Sequence, residues 1–482
     1  MVDEKKTQLD GCHTPSDDIM HGSASMARNA GNDDSSTTPI QNDSNSDNNE
    51  NYKNNKNNNN NDNDDPEKTS AAPPTPQPDY GPAPDGGWRA WSVAIGAGLI
   101  MFAALGFSNS FGVFQEYYMT HQLKHKSADT IAWIGSCAAF FQFLAGVVSG
   151  PLFDRYGSWL LRPATLLCVF STMMTSLCTE YYQFLLAQGI LFGLSTGCMQ
   201  FPAMAAVMQY FDKHRAAALG VAVAGSSVGG VVFPIAVGRM LNDPGVSAHL
   251  SFGWSVRILG FLMLLTLGIA CVTVRPRLPP RETQFFLPAA FRQASFDLIV
   301  LSLFFMFLGL FTPLFFLPAY ATDQGMDSTL ASYLLAVANA ASTFGRIIPG
   351  ILADHLGRIN VLAVGSATTG LVIACLTAVH STAGLFVFAV AFGFTSGTIV
   401  SGASAALSVC CDDPRKMGTY LGMGLGASSL AVLIGPPING QLISHYPTYL
   451  PVTLFSGITC IVGGTIAFFA KKGTKEGLFG RV

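Results

Sequence analysis

Charge is scarce in this 482-residue chain: Asp, Glu, Lys and Arg make up 12% of it, where ordinary soluble proteins carry about 25%. Beside 49% hydrophobic residues, that scarcity excludes a fold immersed wholly in water and points to lipid. The basic residues are dispersed in short connections instead of massed on one face, which excludes a nucleic-acid partner. The ten cysteines include no C-x-x-C pair and no Cys/His cluster, so neither a metal centre nor a disulfide framework is expected. Most of them (Cys137, Cys168, Cys198, Cys271, Cys375, Cys460) lie in apolar runs and read as small hydrophobes. Cys410-Cys411 is a candidate for palmitoylation, with an inert pair the better prior. No nucleophile–base pair and no phosphate-binding loop occurs in the polar connections, so neither an enzyme nor a cofactor is expected.

Apolar residues are nearly missing from residues 1–84, which include an Asn/Asp run from Asn54 to Asp65. Such a segment cannot bury enough surface to offset its chain entropy, so a disordered cytosolic tail is expected. It has no apolar core of the signal-peptide kind. Its Ser/Thr residues are candidate phosphorylation sites, with an inert tail the better prior. The tail holds 15 acids against 6 Lys/Arg, and residues 85–482 hold 15 against 21. The net charge of −3 therefore hides an acidic tail on a basic remainder.

What is present is a series of apolar stretches of about 20 residues, each long enough to cross a bilayer. They fall near 91–115, 129–152, 160–178, 183–207, 215–238, 254–274, 296–320, 329–352, 359–379, 384–410, 417–442 and 449–470. The expectation is an all-α membrane protein of twelve spans in two six-helix halves. Its parts are the tail (1–84), a first half (85–274), a cytosolic linker (275–295), a second half (296–470) and a cytosolic C-tail (471–482). Loop charge sets the orientation. With the N-terminus inside, fifteen Lys/Arg fall on the cytosolic side, among them Arg155, Arg162, Arg281, Arg358, Lys475 and Arg481, against four outside (Lys124, Lys126, Arg239, Arg257). Both termini are expected in the cytosol, at the plasma membrane first and the vacuolar membrane second.

A repeat divides the spans. Residues 150–157 read GPLFDRYG and residues 350–358 read GILADHLGR. Both are G-x-x-x-D-x-x-G, with Gly150, Asp154 and Gly157 matched 200 residues later by Gly350, Asp354 and Gly357; Arg155 and Arg358 add charge to the two loops. Glycine lets two helices approach closely, while the aspartate is placed to cap the next helix or to pair with a basic residue across the interface between halves. Two copies in equivalent places indicate a duplicated six-plus-six transporter with its substrate site between the halves near the midplane. The pair resembles the loop signature of the major facilitator superfamily.

Three further stretches narrow that resemblance. PDGGWRAW (84–91) resembles the D-G-G-W-x-W lead-in of the monocarboxylate transporter family, with one extra residue, through Asp85, Gly86, Gly87, Trp88 and Trp91. YFDKHRAAALGVAVAGSSVG (210–229) is similar to that family's junction between spans 4 and 5, with Arg215 and Gly225 at matching positions. GLGASSLAVLIGPPINGQLI (424–443) resembles its GPP-I-x-G element. The resemblance covers residues 85–470, and the Asn-rich tail suggests a fungal member. Read from the residues alone, Trp88 and Trp91 suit the headgroup region. Gly220, Gly225, Gly229 and Gly230 give span 5 a smooth face for a moving partner helix. Pro436-Pro437 breaks the ladder of span 11 and permits a bend.

Arg346 is the one charge embedded in a long apolar helix, residues 333–352, about 12 Å of helix rise from Asp354. A guanidinium stays ionised and costs roughly 2.5–3.5 kcal/mol near the bilayer centre, so it requires a partner, water or a bound anion. Pro349 adds a locally open turn by leaving the Gly345 carbonyl without its helical donor. The resemblance implies that Arg346 contacts a substrate carboxylate; the residue itself leaves open a structural pair with Asp354 or a helix end. Two departures matter. Ser342, one turn earlier, stands where the resemblance implies an acid, and span 1 offers Ser110, Gly112 and Val113 where it implies a lysine. No Asp or Glu sits at mid-depth, since Glu116, Asp129 and Asp297 are terminal, so the usual proton relay is missing and lactate–proton symport is disfavoured.

The remaining substrate-contact candidates are Asn109, Gln142, Gln200 and Asn339, with Gln115; each is equally able to bond a neighbouring helix. Spans 7 and 10 are rich in Phe, which suits lipid contact or a cavity for an aromatic ligand. The expected partners are therefore the bilayer and a small organic anion. The expected function is secondary transport of that anion or metabolite by alternating access, monocarboxylate-transporter-like, as an exporter of a fungal secondary metabolite. Uptake of riboflavin or a monocarboxylate is the alternative, and a non-transporting nutrient sensor a third reading.

Overall fold

The computed structural model describes residues 81–482 apart from 243, 248–249, 281–284, 447, 474–476, 478–479 and 481–482. The tail to residue 80, Arg281, Lys475, Arg481 and the side chain of Asp129 fall outside the described residues. Every regular element among the described residues is helical, as hydrocarbon demands of a chain whose backbone must satisfy itself.

Eleven continuous helical stretches are long and apolar enough to cross a membrane. One of them, Thr130–Thr175, has 46 residues, about 69 Å of helix, more than twice the hydrocarbon thickness. Its neighbours show that it turns back. A Cβ on Gly189 would lie 3.2 Å from Ile134 O, one on Gly193 2.5 Å from Ala138 O and one on Gly197 2.2 Å from Gln142 O, after which Thr165 reaches Met199 and Ser171 reaches the Ala187 carbonyl. The chain runs up the Tyr181–Tyr210 helix and then down it, reversing at Gly157, whose φ is 69°. It therefore holds spans 2 and 3, and the crossings among the described residues number twelve. The others are span 1 (Gly87–Thr120), span 4 (Tyr181–Tyr210), span 5 (Arg215–Leu241), span 6 (Phe252–Thr273), span 7 (Ala294–Asp323), span 8 (Leu330–Leu356), span 9 (Arg358–Ala378), span 10 (Thr382–Cys410), span 11 (Pro414–His445) and span 12 (Leu450–Gly473).

Small residues set the packing, because van der Waals contact is the main force between helices in lipid. A Cβ on Gly225 would lie 2.1 Å from the Gly98 carbonyl oxygen, and one on Gly229 2.3 Å from that of Phe102, so spans 1 and 5 cross backbone to backbone. Gly220 meets a different helix: a Cβ there would lie 2.4 Å from the Arg346 carbonyl oxygen in span 8. The glycines of span 5 thus serve two neighbours, one from each end of the chain, and not a single smooth face. A buried polar knot joins spans 7, 11 and 12, where Asn439 Nδ2 donates to Thr312 Oγ1 (2.6 Å) and Ser456 Oγ to Asn439 Oδ1 (3.4 Å).

Three breaks shape the interior. Span 1 is interrupted at Ser110 and span 7 at Phe311, equivalent places in the repeat. In span 7, Pro313 removes the donor that Gly309 O would have used. Span 11 is interrupted at Ser428, between Met417–Ala427 and Ser429–His445, and the latter helix contains Pro436-Pro437. The helix runs through both prolines, while the Ser428 hydroxyl bonds back to Gly424 O at 3.1 Å, a back-bond that bends helices.

Gly225→Val forces a branched side chain into the Gly98 backbone and is expected to destabilise by about 1–3 kcal/mol, read as a lower melting temperature of the detergent-solubilised protein. Gly238→Val in the same span, where a Cβ meets nothing within 4 Å, is expected to leave it unchanged. Equal melting of the two variants contradicts the crossing.

Candidate functional site

On the face that carries the repeated loops, the two copies of G-x-x-x-D-x-x-G do the same job on exchanged partners. Asp154, after span 2, accepts from Gly418 N (3.1 Å), Thr419 N (2.7 Å) and Thr419 Oγ1 (2.6 Å), in the first turn of the helix that opens span 11. Asp354, after span 8, accepts from Ala216 N (2.9 Å) and Ala217 N (2.8 Å), in the first turn of span 5. Each carboxylate caps a helix from the other six spans, not the next helix in sequence. Helix N-termini offer unpaired N–H groups and a dipole that favours negative charge.

The glycines make the reach possible. A Cβ on Gly150 would lie 2.0 Å from Gly418 O, and one on Gly350 2.8 Å from Ala216 O. Gly157 and Gly357 end their helices at φ 69° and 98°, the left-handed region that favours glycine. Both carboxylates are 4% exposed, and Arg358 Nε stands 3.6 Å from Asp354 Oδ1. Arg155 is exposed, with its guanidinium over the Tyr156 ring. A cap is worth about 0.5–2 kcal/mol, so two caps bias a conformational equilibrium without locking it.

The lead-in to span 1 fastens onto the same place. Asp85 Oδ1 accepts from the N–H groups of Asp212 (2.6 Å), Lys213 (2.7 Å) and His214 (3.4 Å), and its own N–H donates to Tyr210 O. Partial burial pushes the Asp85 carboxyl up, but these N–H groups and the nearby His214 outweigh it and hold it below its ordinary range. Gly86 and Gly87 connect this cap to the helix beginning at Gly87. Arg277, leaving span 6, donates to Gly81 O and Pro82 O. Arg215 closes the turn through Phe211 O and Asp212 Oδ1, and Arg358 Nη2 donates to Asp212 O at 2.6 Å. Trp91 sets its ring edge against Phe211, while Trp88 is exposed. The family-like residues therefore form a strap that ends on the turn opening span 5.

Further inside, Arg346 is 7% exposed, between spans 8 and 5. Its Nη1 donates to Val223 O (2.8 Å) and to Ser226 Oγ. Among the described residues, Nε has no hydrogen-bond partner and no carboxylate pairs with the guanidinium. Asp354, the structural partner left open by the sequence, spends its oxygens on Ala216 and Ala217. Ser342 turns to span 10, its hydroxyl 3.0 Å from where a Cβ on Gly397 would be. Two turns from Arg346, Asn339 meets Asn109 over Gly230: a Cβ there would lie 2.8 Å from Asn339 Oδ1 and 2.7 Å from Asn109 Nδ2.

The structure thus brings Arg346, Asn339 and Asn109 together along span 5. It sets Gln142 and Gln200 apart, bonded to each other at 2.6 Å between spans 2 and 4. Phe143 of span 2 meets Phe307 of span 7 edge-on at 5.5 Å, and Phe311 stands at the span 7 break 6.2 Å from Phe307. Of the other phenylalanines, Phe388 and Phe392 stack in the core, whereas Phe315 and Phe394 face outward. Sequence reasoning missed Val223 and Ser226. Their signal, a serine in a glycine-rich helix, becomes legible once spans 5 and 8 are known to touch.

Comparison with known proteins agrees with this architecture. The profile described as Major Facilitator Superfamily matches residues 96–382 and 299–480. The aspyridones efflux protein apdF of Emericella nidulans is 47% identical over 398 residues, covering 83% of this chain and 81% of that one. The agnestins efflux protein AgnL12 of Paecilomyces divaricatus is 41% identical, covering 81% and 89%. Among solved structures, the E. coli fucose:proton symporter FucP aligns with a TM-score of 0.60 at 14% identity, covering 79% and 99%. The human organic anion transporter MFSD10 aligns with a TM-score of 0.59 at 16% identity, covering 80% and 100%. These two likenesses speak to the fold.

Asp354→Ala is expected to speed amide hydrogen exchange at residues 216–217 by about two- to thirtyfold, from 0.5–2 kcal/mol per cap, while leaving 418–419 protected. Asp154→Ala is expected to do the reverse. Exchange unchanged at the partnered helix start contradicts the exchanged caps.

Proposed function

This chain belongs to the Major Facilitator Superfamily of secondary transporters, and on that premise we propose that it exports an anionic fungal secondary metabolite. The observation that carries the reading is Arg346, a buried guanidinium with two partners on span 5 and an unsatisfied Nε. Desolvated positive charge of this kind is costly unless an anion completes it. Asn109 and Asn339 supply neutral hydrogen-bonding groups two turns away, and Phe143, Phe307 and Phe311 offer an aromatic wall. The breaks at Ser110 and Phe311 support the same location, since interrupted helices in equivalent halves mark the binding site of duplicated transporters. Relatives named as efflux proteins for aspyridones and agnestins favour export and a substrate larger than a simple monocarboxylate.

In this reading the moving bodies are residues 85–274 and 296–470, joined by the linker 275–295, and the loops carrying the caps face the cytosol by their charge. The strap from Asp85 to the turn before span 5 supports a place beside the monocarboxylate transporters. Ser342 and the span 1 stretch 106–115 keep the acid and lysine of their proton-coupled members out of the site. The plasma membrane is where such an exporter acts.

Arg346→Ala is expected to keep membrane abundance and to lower export by at least about thirtyfold, since truncating one partner of a buried charged pair costs 2–5 kcal/mol. Wild-type flux in reconstituted vesicles, or loss of the protein itself, overturns the assignment. Comparative metabolomics of cells and medium with and without the gene identifies the substrate, as the anion that shifts from medium to cells on deletion. Flux of that anion is expected to respond weakly to an imposed pH gradient; robust proton-driven accumulation contradicts the reading.

A further inference from the structure

Away from the central seam, spans 1 and 3 each pack against span 6, and residues of all three line an open recess of about 410 Å³ at the membrane boundary of the loop-bearing face. Three arginines from three different spans converge on it: Arg89 at the start of span 1, Arg162 at the start of span 3 and Arg275 just after span 6. Ser158 adds a hydroxyl, and among the described residues no acidic side chain lines the walls. Arg275 spends its Nε on the Val272 carbonyl at 3.1 Å, which leaves its outer nitrogens for a ligand. Neither Arg89 nor Arg162 has a salt bridge among the described residues. Three guanidinium groups gathered without a counter-charge repel one another unless an anion joins them.

The flanks of the recess say which anion. Arg162, Leu166 and Phe170 follow one another at four-residue spacing on span 3, and Arg275, Val272, Ile269 and Leu265 at three- and four-residue spacing on span 6; the apolar members are all exposed. Arg162 and Arg275 therefore each head an apolar stripe that runs down the lipid-facing side of its helix. Trp88 and Trp159, 87% and 66% exposed, adjoin in sequence the lining residues Arg89 and Ser158, and amphipathic side chains of this kind favour headgroup depth. A soluble phosphate uses the arginines alone, whereas a phospholipid uses the arginines and both stripes.

We propose that Arg89, Arg162 and Arg275 bind the phosphate headgroup of an anionic phospholipid, whose acyl chains lie along spans 3 and 6. The inference is independent of the export substrate, and Arg346 plays no part in it.

The test is native mass spectrometry of the purified full-length chain released from nanodiscs of phosphatidylcholine containing phosphatidylserine. Wild type is expected to retain phosphatidylserine. The triple variant Arg89→Gln/Arg162→Gln/Arg275→Gln is expected to bind it about a hundredfold more weakly, and each single variant about fivefold, from roughly 1 kcal/mol per basic residue near the surface. Arg292→Gln/Lys472→Gln, which removes two exposed charges from the same face, is expected to retain wild-type binding. The single variants keep the test decisive where the triple variant fails to fold. Equal loss in the Arg292/Lys472 variant shows non-specific attraction and overturns the site. Inorganic phosphate or glycerophosphoserine binding as tightly as the lipid shows a soluble-phosphate site and overturns the lipid assignment.

Discussion

Asp154 and Asp354 each press a buried carboxylate against the first-turn N–H groups of a helix that belongs to the other six spans. Nearly every other feature of the loop-bearing face is arranged around these two contacts. The glycines four residues earlier admit the partner backbone, and the left-handed glycines three residues later end the helices so that the carboxylates point across the seam. The lead-in strap from Asp85 and the Arg358 bond to Asp212 O gather at the turn that Asp354 caps. Burying a carboxylate is expensive, and the helix N-terminus offsets that cost with N–H groups that water would otherwise have to satisfy.

Arg346 lies on the same helix as Asp354, and its partners Val223 and Ser226 lie on the helix that Asp354 caps. Spans 5 and 8 are therefore held at two levels, by a carboxylate at the membrane boundary and by a guanidinium deeper in. In the proposed cycle an anion that occupies the unsatisfied side of Arg346 competes with the deeper contact and leaves the outer one to its own strength. At about 0.5–2 kcal/mol per cap, the caps define a bias that ligand binding of ordinary strength is able to reverse.

Much of this was legible in the sequence, and the exceptions have physical causes. Span count followed from apolar length, and the repeat at Gly150 and Gly350 from spacing. The partners of Asp154 and Asp354 were not legible, because a capping carboxylate carries no mark of which helix it caps. The same holds for Arg346, whose contacts with Val223 and Ser226 exist through the packing of two helices more than a hundred residues apart. Gln142 and Gln200 read as equal candidates beside Asn109 and Asn339, yet one pair bonds to itself and the other lines Gly230. Polar residue type reveals that a partner is required, not which partner. The interruption of span 11 at Ser428 went unread for a related reason, since two prolines are a strong local signal and a back-bonding serine a weak one.

The claim that the exchanged caps favour contact between the two six-span halves on this face is tested most directly by distance measurement. Spin labels at Lys213→Cys with His355→Cys, and at Tyr156→Cys with Asp412→Cys, report the two seams from exposed positions, in a chain whose native cysteines are replaced. Double electron–electron resonance is expected to give one short separation across each seam. In the Asp154→Ala/Asp354→Ala background a second, longer population is expected in both. Distance distributions that the two substitutions leave unchanged would contradict the account.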